Sequence, residues 1–592
     1  MPTVIPIDDF VTDEWYPGFR PAHGHSPFVV EPLRTFEARD VDRFWFLDYH
    51  WSRGLTPMGM IWNEDGYSWG SQFAAETLPL PPGRGIAQRM AGTHTYASPI
   101  EVSSSFEMRE RTARLARRLP AFLRDFRMIW ADREAEIDRG WNRLRGLDVT
   151  GLSLPELAVM LREARRFHKR AFEIHFEIMY PLLVNYLGFH GACTEMGLDP
   201  SRTGVFLQGV DTRISQTDRE LWRLTHRARE TGLASVFAAT DPADLAATLD
   251  TAGGPAAAWM TDFREVMAEF GWRSEGTSDI ALPSWIEDPT PPLGTIKTFL
   301  LQAHEHDFDA ARATLLAERD AAIEDARTRL TSAQRVVFDA GLASVQAANF
   351  TWWQEEHNAA IDLRAALPMR WAALAIADRI GADRADDTLF LFWPELLDVA
   401  EGRRDYDRGL RGLVEDRREY FDHWRVRRIA MPKTLGTVPD RVHDPILIEI
   451  FGLNRTFLSA VGGSAPSAAP APGAPGEPGE ASRGVRLVGL AASGGLARGI
   501  ARVLTDADTL HLVEPGEVLV CESTSPNWTP AFGKLAACVC DGGGILSHAA
   551  IVGREYGVPT VTAVGLATAL IKDGDMVEVD GSAGVVTVLG RG

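Results

Sequence analysis

The chain has 592 residues, of which 45% are hydrophobic and 24% are charged, and its formal net charge is −20. This length exceeds what a single hydrophobic core organises, so several domains are expected. The acidic balance excludes nucleic acid as the main partner, because no basic face is offered to phosphates. No apolar run reaches the ~20 residues that cross a bilayer, and the N-terminus lacks a signal-peptide layout. We therefore expect no membrane partner and a cytoplasmic location.

Residues 1–100 are irregular and rich in aromatic residues and turn formers, and short or extended β segments are expected there. These aromatic residues suit a hydrophobic core, while a pocket for an aromatic ligand stays open as an alternative. They are Trp15, Phe19, Phe44, Trp45, Phe46, Trp51, Trp62 and Trp69.

Residues 101–461 carry apolar residues at helical spacing, which predicts a mainly α-helical domain. The predicted helical segments are Ser104 to Arg145, Pro155 to Leu187, Phe308 to Asp325, and Thr331 to Ala377. Residues 462–483 then form a stretch rich in proline, alanine and glycine without a periodic apolar pattern. Such a composition predicts a mobile linker to a C-terminal domain at 484–592.

A glycine-rich segment in the C-terminal domain leads into a histidine, His548. An apolar, strand-like run precedes the glycines, and residues 549–556 read as a helix that Gly557 ends. Glycines and a helix N-terminus together offer backbone N–H groups to an anion such as phosphate. No Lys-Ser/Thr pair follows, so the loop is not a nucleotide P-loop. From residue types alone, His548 is either a covalent phosphoryl carrier or a capping residue.

Several motifs in fixed order show that residues 484–590 resemble the phosphohistidine swivelling domain of the phosphoenolpyruvate-utilising enzymes. The motifs are Thr524-Ser525-Pro526-Asn527-Trp528-Thr529-Pro530, Gly543-Gly544-Ile545-Leu546-Ser547-His548-Ala549-Ala550-Ile551-Val552 and Val577-Glu578-Val579-Asp580-Gly581. Two departures are Gly553, where alanine is common, and Ser525, where aspartate is common. The resemblance implies that His548 becomes phosphorylated.

The residues before the linker resemble the helical substrate-binding domain of rifampicin-phosphotransferase-like proteins and of two-subunit phenylphosphate synthases. The likeness rests on segments such as Leu282-Pro283-Ser284-Trp285, Glu355-Glu356-His357-Asn358 and Asp386-Asp387-Thr388-Leu389-Phe390. The fold implied is multidomain, with a mainly α-helical substrate-binding domain followed by an α/β swivelling domain.

Two parts of the family are not recognised in the sequence, namely an ATP-grasp domain and a pyruvate-binding barrel. The resemblance therefore implies a separate ATP-grasp subunit that binds ATP and Mg²⁺. On this interpretation, His548 takes the β-phosphoryl group of ATP, leaving AMP and phosphate. The linker would let it travel between that subunit and the helical domain.

The residues expected around the phosphorylated histidine share hydrogen-bond donors or positive charge. They are Gly543, Gly544, Ser547, Thr524 and Arg554, the last of which is alternatively a surface charge.

In the helical domain the candidate acceptor-site residues are polar and lie near one segment. They are His357 as the base, with Glu356, Asp362, Arg370 and Arg273. His357 and Asp362 are five residues apart and so are not strict neighbours on an α-helix. A helix surface patch and carboxylate-paired arginines are the alternatives.

No metal site is predicted. His168 and His175 are seven residues apart, which is not a usual ligand spacing, and the four cysteines lack zinc-type spacing. If Cys538 and Cys540 lie on one strand, they share a face and are best explained as buried hydrophobic residues.

The sequence thus predicts the catalytic subunit of an ATP-dependent phosphotransferase acting on a phenol or cresol. Two alternatives remain open. One keeps phosphohistidine chemistry with an antibiotic hydroxyl or a carboxylate as acceptor, and the other is a non-catalytic regulatory subunit.

Overall fold

A computed structural model describes most of the chain. The described residues are 3–21, 29–78, 80–274, 276–301, 307–442, 444–462, 484–505, 507–525 and 528–591. Apart from Gly462, the predicted linker lies outside the described residues, as do Pro526 and Asn527.

The N-terminal region forms most of a six-stranded sheet with the strand order β1-β6-β3-β5-β4-β2. Its strands are β1 (Thr3–Ile5), β2 (Arg34–Thr35), β3 (Phe44–Leu47), β4 (Gly83–Ala91), β5 (His94–Glu101) and β6 (Thr434–Val438). β6 lies more than 300 residues beyond β5 and pairs antiparallel with both β1 and β3. The sequence did not predict this strand, because its apolar residues Leu435 and Val438 are three positions apart and show no strand alternation.

The middle of the chain is helical, as predicted. The main α-helices are Ser105–Arg145, Leu154–Glu195, Arg213–Glu230, Pro242–Ala252, Gly254–Phe270, Thr290–Leu301, Phe308–Arg329, Ser332–Ala347, Phe350–His357, Leu367–Arg379, Trp393–Ala400, Arg408–Arg425 and Arg455–Gly462. Shorter helices lie at Ile61–Asn63, Gln72–Thr77, Ala234–Ala239 and Pro445–Glu449. Among the described residues, no helix is both long enough and apolar enough to cross a membrane.

The segment Thr331 to Ala377, predicted as one helical pattern, is interrupted twice. Asn349 caps a new helix by accepting a hydrogen bond from the N–H of Trp352. That helix then widens into a π-helical turn at Asn358–Asp362. A further helix begins at Leu367, with a proline in its first turn. The apolar periodicity survives these interruptions, so it could not reveal them.

The C-terminal domain is built on an eight-stranded sheet of order β7-β14-β13-β9-β10-β11-β12-β8. Its strands are β7 (Arg486–Val488), β8 (Leu490–Ser493), β9 (Leu496–Leu504), β10 (Val518–Cys521), β11 (Ala537–Cys540), β12 (Thr560–Thr562), β13 (Asp575–Asp580) and β14 (Val585–Arg591). β9 to β12 run parallel, and the helices are Thr529–Phe532, His548–Tyr556 and Ala567–Leu570. The predicted class, a mainly helical region followed by an α/β domain, is confirmed.

Candidate active site

His548 occupies the first position of a helix, immediately after the loop that follows β11. We call residues 541–547 the glycine loop. Ser547 precedes the helix in an extended conformation, and Gly557 ends the helix with a φ of 64°. This left-handed conformation favours glycine, as the sequence predicted. The strand, loop and helix thus hold the imidazole at the carboxyl end of a parallel strand, where α/β sheets commonly bind ligands.

Two threonine hydroxyls hold the imidazole of His548. The Thr524 hydroxyl lies 2.9 Å from Nδ1 and the Thr529 hydroxyl lies 3.1 Å from Nε2. Burial, followed by the positive charge of Arg273, lowers the pKa of His548 to about 3. The ring is therefore neutral at physiological pH and keeps one nucleophilic lone pair. The sequence analysis named Thr524 but assigned no role to Thr529, although it belongs to the same motif.

The glycine loop contacts the helical domain through its backbone. The N–H groups of Gly543, Gly544 and Leu546 donate to the carbonyls of Phe451, Ile450 and Glu449, each at 2.9 Å. We call this the docked arrangement. The N–H groups of Gly543 and Gly544, predicted to bind phosphate, are thus occupied in it. Their contact with phosphate stays a prediction for the arrangement in which the loop has left residues 449–451.

Ser547 and Arg554 were also predicted to meet phosphate. The Ser547 hydroxyl donates to the Gly544 carbonyl at 2.8 Å and lies at the edge of the cavity next to His548. Arg554 donates to the carbonyls of Ala492 and Ile545, at 3.0 and 3.2 Å. In the docked arrangement this guanidinium therefore braces the glycine loop.

A cavity of about 160 Å³, which we call the chamber, lies between the two domains. From the C-terminal domain it is lined by Thr524, Trp528, Gly543, Ser547 and His548, among others. From the rest of the chain it is lined by residues that include Tyr49, His50, Trp51, Arg53, Asp279, Gln354, Asn358, Asp362 and Phe451. His548 thus shares one partly open cavity with aromatic, acidic and basic groups of the helical domain.

An imidazole backed by a carboxylate faces this chamber. His50 Nδ1 lies 2.7 Å from a carboxylate oxygen of Asp48 and 3.2 Å from the hydroxyl of Tyr67. Burial alone would lower the pKa of His50, but Asp48 outweighs it and raises the pKa above its ordinary value. Because Nδ1 donates to Asp48, Nε2 carries the lone pair of the neutral ring. The sequence pattern did not reveal this pair, although Asp48 and His50 are two residues apart just after β3.

The predicted base, His357, lies beside Asp362 and His175. His357 Nε2 is 3.4 Å from Asp362 Oδ2, and His175 Nδ1 is 3.5 Å from Asp362 Oδ1. The π-helical turn creates this contact, because it aligns residues five apart rather than four. The spacing rule for an α-helix therefore does not apply to this segment, and the π-helical turn brings His357 and Asp362 together. Asp362 lines the chamber directly, while the His357 ring stacks on Trp353.

The other predicted acceptor residues lie outside the lining of the chamber. Glu356 accepts a hydrogen bond from the N–H of Arg213 at 2.9 Å and thus caps a helix. Arg370 donates to Glu287 at 2.9 Å and to two backbone carbonyls, so it matches the carboxylate-paired alternative. Arg273 lies over the ring of Trp285, and its charge acts on His548. Arg53, which the sequence analysis did not single out, contributes a guanidinium to the chamber lining.

Two segments of the chain are similar to known protein domains. Residues 179–355 match the rifampicin phosphotransferase fourth domain, and residues 513–584 match the mobile domain of PEP-utilising enzymes. The chondramide synthase cmdD of Chondromyces crocatus is 29% identical over 94% of this chain and 14% of its own length. The uncharacterized phosphotransferase YvkC of Bacillus subtilis is 27% identical over 73% of this chain and 49% of its own.

A rifampicin phosphotransferase from a Streptomyces species is 28% identical over 55% of this chain and 34% of its own length. The chain thus spans about half, or less, of each of these relatives. The mobile-domain match contains His548 and the glycine loop, and the fourth-domain match contains Asp279 and Gln354 of the chamber lining. The chain therefore carries a segment similar to the mobile domain of PEP-utilising enzymes and another similar to the fourth domain of rifampicin phosphotransferase.

Proposed function

We propose that this chain is the phosphohistidine-carrying part of a phosphotransferase, and that it transfers a phosphoryl group from His548 to the hydroxyl of a small phenol. One observation carries the proposal: His548 and the Asp48-backed imidazole of His50 line the same chamber. A nucleophile on one domain and a base on the other are the two groups that such a transfer needs.

In the first step, a nitrogen of neutral His548 attacks the phosphorus of the donor. A P–N bond forms while the P–O bond to the leaving group breaks. The two threonine hydroxyls can accept from the ring N–H and donate to the lone pair of the other nitrogen. The threonine hydroxyl at the attacking nitrogen must turn away before the attack. The other threonine hydroxyl accepts the N–H of the second ring nitrogen and so keeps the ring in the reactive tautomer.

In the second step, the acceptor oxygen attacks the phosphorus of phosphohistidine inside the chamber. A P–O bond forms, the P–N bond breaks, and the proton of the hydroxyl passes to Nε2 of His50. The carboxylate of Asp48 stabilises the resulting imidazolium, while Arg53 and Arg273 are positioned to offset phosphoryl charge.

The size and lining of the chamber favour a single aromatic ring as the acceptor. Its volume of about 160 Å³ is close to the ~150 Å³ of an engineered protein cavity that binds benzene. Drug-sized ligands occupy roughly 300–1,000 Å³, so an antibiotic hydroxyl fits the docked chamber less well. The carboxylates of Asp279 and Asp362 face the chamber and disfavour a carboxylate acceptor by like-charge repulsion.

For the donor, we propose ATP and Mg²⁺ on a separate ATP-grasp subunit, with AMP and phosphate as products. The docked arrangement buries His548 to 6% exposure, so the histidine must leave the chamber to meet any nucleotide. The Asp362 cluster contains two imidazoles, whereas Mg²⁺ prefers oxygen ligands. Because this cluster suits Mg²⁺ poorly, we place Mg²⁺ with the nucleotide on the partner subunit.

The reverse of the second step tests the proposal without the partner. The chain alone, incubated with phenyl phosphate, is expected to become phosphorylated at His548, detected by mass spectrometry under alkaline conditions that preserve phosphohistidine. Phosphorylation should be lost in His548→Asn and retained in the matched variant His423→Gln, which changes an exposed histidine.

Two outcomes would contradict the proposal at different levels. Labelling of His548 by other phosphate esters but not by phenyl phosphate would exclude a phenol acceptor. No labelling of His548 by any phosphate ester, nor by ATP with a candidate ATP-grasp subunit, would exclude the carrier role and favour a regulatory subunit.

A further inference from the structure

Asp362 lies between two imidazoles at separations longer than those of ordinary hydrogen bonds. The two N···O separations are 3.4 Å to His357 and 3.5 Å to His175, whereas N–H···O hydrogen bonds are about 2.7–3.2 Å long. Within the described part of the chain, His175 Nδ1 and Asp362 Oδ1 are buried without a hydrogen-bond partner. Such orphaned polar atoms are costly unless something else satisfies them.

The tautomer of His357 strengthens this point. Its Nδ1 lies 3.1 Å from the carbonyl oxygen of Trp353, and a carbonyl only accepts, so Nδ1 must carry the proton. In a neutral ring, Nε2 then presents its lone pair to the carboxylate of Asp362, which is unfavourable without a positive charge between them. A backbone carbonyl at the other ring nitrogen is also the usual partner of a metal-bound histidine.

The separations themselves fit a shared cation. Two ligand atoms each about 2.1 Å from a tetrahedral ion lie about 3.4 Å apart. One ligand atom from each of His175, His357 and Asp362 lies within 4.8 Å of the others. Two imidazoles and one carboxylate with an open position are typical of catalytic zinc sites.

We infer that His175, His357 and Asp362 form a binding site for a divalent transition-metal ion, with Zn²⁺ as the best fit, beside the chamber that Asp362 lines. Its role rests on the proposed function: the open position would take the acceptor hydroxyl. A bound cation lowers the pKa of a coordinated hydroxyl, so the oxygen that attacks phosphohistidine would lose its proton to His50 more readily. In this arrangement His357 is a metal ligand rather than the base.

The three buried cysteines of the C-terminal domain are the competing site for a soft metal. Cys521 and Cys538 lie 3.6 and 3.7 Å from the sulfur of Cys540, and apolar side chains of the same core surround them. Thiolate ligation of Co²⁺ gives a charge-transfer absorption that imidazole and carboxylate ligation lacks. The two sites can therefore be distinguished by spectroscopy.

The test uses Co²⁺ as a coloured substitute for Zn²⁺. The full-length chain, stripped with a chelator, is expected to bind a single Co²⁺ with visible d–d bands and no thiolate charge transfer. His175→Gln, His357→Gln and Asp362→Asn should each weaken the binding by at least about tenfold, because even outer-shell changes cost that much. Zn²⁺ should displace the Co²⁺ and erase the bands.

Cys540→Ser and His423→Gln serve as matched controls and should leave the spectrum unchanged. Circular dichroism and thermal unfolding confirm that each variant is folded. The inference is wrong if the folded wild-type chain binds no Co²⁺, or if the three ligand variants bind it normally. Since the spectrum needs no phosphoryl transfer, its absence is distinguishable from a failure of His548 to be phosphorylated.

Discussion

Two histidines that face the same chamber are placed in opposite electrostatic environments. Burial lowers the pKa of His548 to about 3, with a further contribution from Arg273. At His50 burial also lowers the pKa, but the adjacent carboxylate of Asp48 more than compensates. Such divergence separates the roles of identical side chains. His548 remains an uncharged nucleophile, while His50 can receive and hold a proton.

This contrast predicts the effect of pH on transfer to the acceptor. A base works in its deprotonated form, so activity falls as pH drops through the pKa of His50. Since Asp48 raises that pKa above the ordinary histidine value of 6.5, the acid limb of kcat/KM should have its midpoint above 6.5. Asp48→Asn should move the midpoint to lower pH and reduce the rate at pH 7 by roughly 100-fold, a usual loss for general-base catalysis.

Pre-steady-state transfer from phosphorylated chain to phenol, followed across pH, measures this directly. His548 does not produce the limb, because its pKa is far lower in the docked arrangement. Asp13→Asn, at an exposed aspartate of the same region, is the matched control. An unchanged midpoint in Asp48→Asn would remove His50 from the role of base.

At the scale of elements, the glycine loop and residues 449–452 approach more closely than side chains allow. A Cβ at Gly544 would lie 2.2 Å from the Glu449 carbonyl oxygen, and one at Gly542 would lie 2.3 Å from the ring of Tyr49. Likewise, a Cβ at Gly452 would lie 2.4 Å from the carbonyl oxygen of Gly543. The glycines therefore serve the contact between the domains as well as the loop conformation.

Gly544→Ala should separate the two half-reactions. The φ of Gly544 is not in the left-handed region, so alanine is unstrained in the free domain and clashes only on docking. Overpacking of this kind costs about 1–3 kcal/mol. We expect phosphorylation of His548 by the donor to persist while transfer to phenol slows by roughly tenfold or more.

Amide hydrogen exchange provides an independent measure, because the N–H groups of residues 544 and 546 are bonded across the interface only when the loop is docked. Their protection should fall in Gly544→Ala. Gly494→Ala is the control, since its nearest neighbour is a serine hydroxyl at 3.3 Å within the same domain. Equal loss of both half-reactions would show that Gly544 serves the loop itself.

The sequence predicted the helix after His548 and its glycine stop, because strand, turn and cap signals are local. It also predicted a mainly helical middle domain from the apolar period, although it named no helical segment between residues 188 and 307 or after residue 377. It could not predict β6, whose five residues pair with strands hundreds of positions away. The contact of His357 with Asp362 was missed for a different reason: residues five apart come together in a π-helical turn, whereas the segment was read as an α-helix.

At the scale of the whole molecule, docking buries acidic groups against one another. Asp218 of the helical domain accepts a hydrogen bond from Tyr556 of the C-terminal domain at 3.1 Å. Burial raises the pKa of Asp218 to about 7, and burial together with Asp218 raises that of Glu555 to about 7. Glu355 lies in the same group, and its pKa is also raised, first by burial and then by Glu555.

These shifts link docking to pH. A carboxyl group whose pKa is raised in the docked arrangement prefers to be protonated there. Docking therefore weakens as the pH rises from 4.5, the ordinary pKa of glutamate, to about 7, the pKa of Glu555 in the docked arrangement. His548 has the opposite effect, because docking requires its imidazole to be neutral. Its contribution to docking weakens as the pH falls below 6.5, the ordinary pKa of histidine. The carboxyl contribution can be isolated with Glu555→Gln, which keeps the shape and cannot ionise.

We expect Glu555→Gln to dock more tightly than the wild type at pH 8 and equally at pH 4.5, with the difference growing between these values. Protection of the amides of residues 544 and 546, corrected for the intrinsic pH dependence of exchange, reports the docking constant. Glu514→Gln, at an exposed glutamate of the same domain, should follow the wild type throughout. Because tighter docking also holds His548 in the chamber, the variant should accept phosphate from the donor more slowly at pH 8. A docking difference that does not vary with pH would mean that Glu555 contributes through packing rather than ionisation.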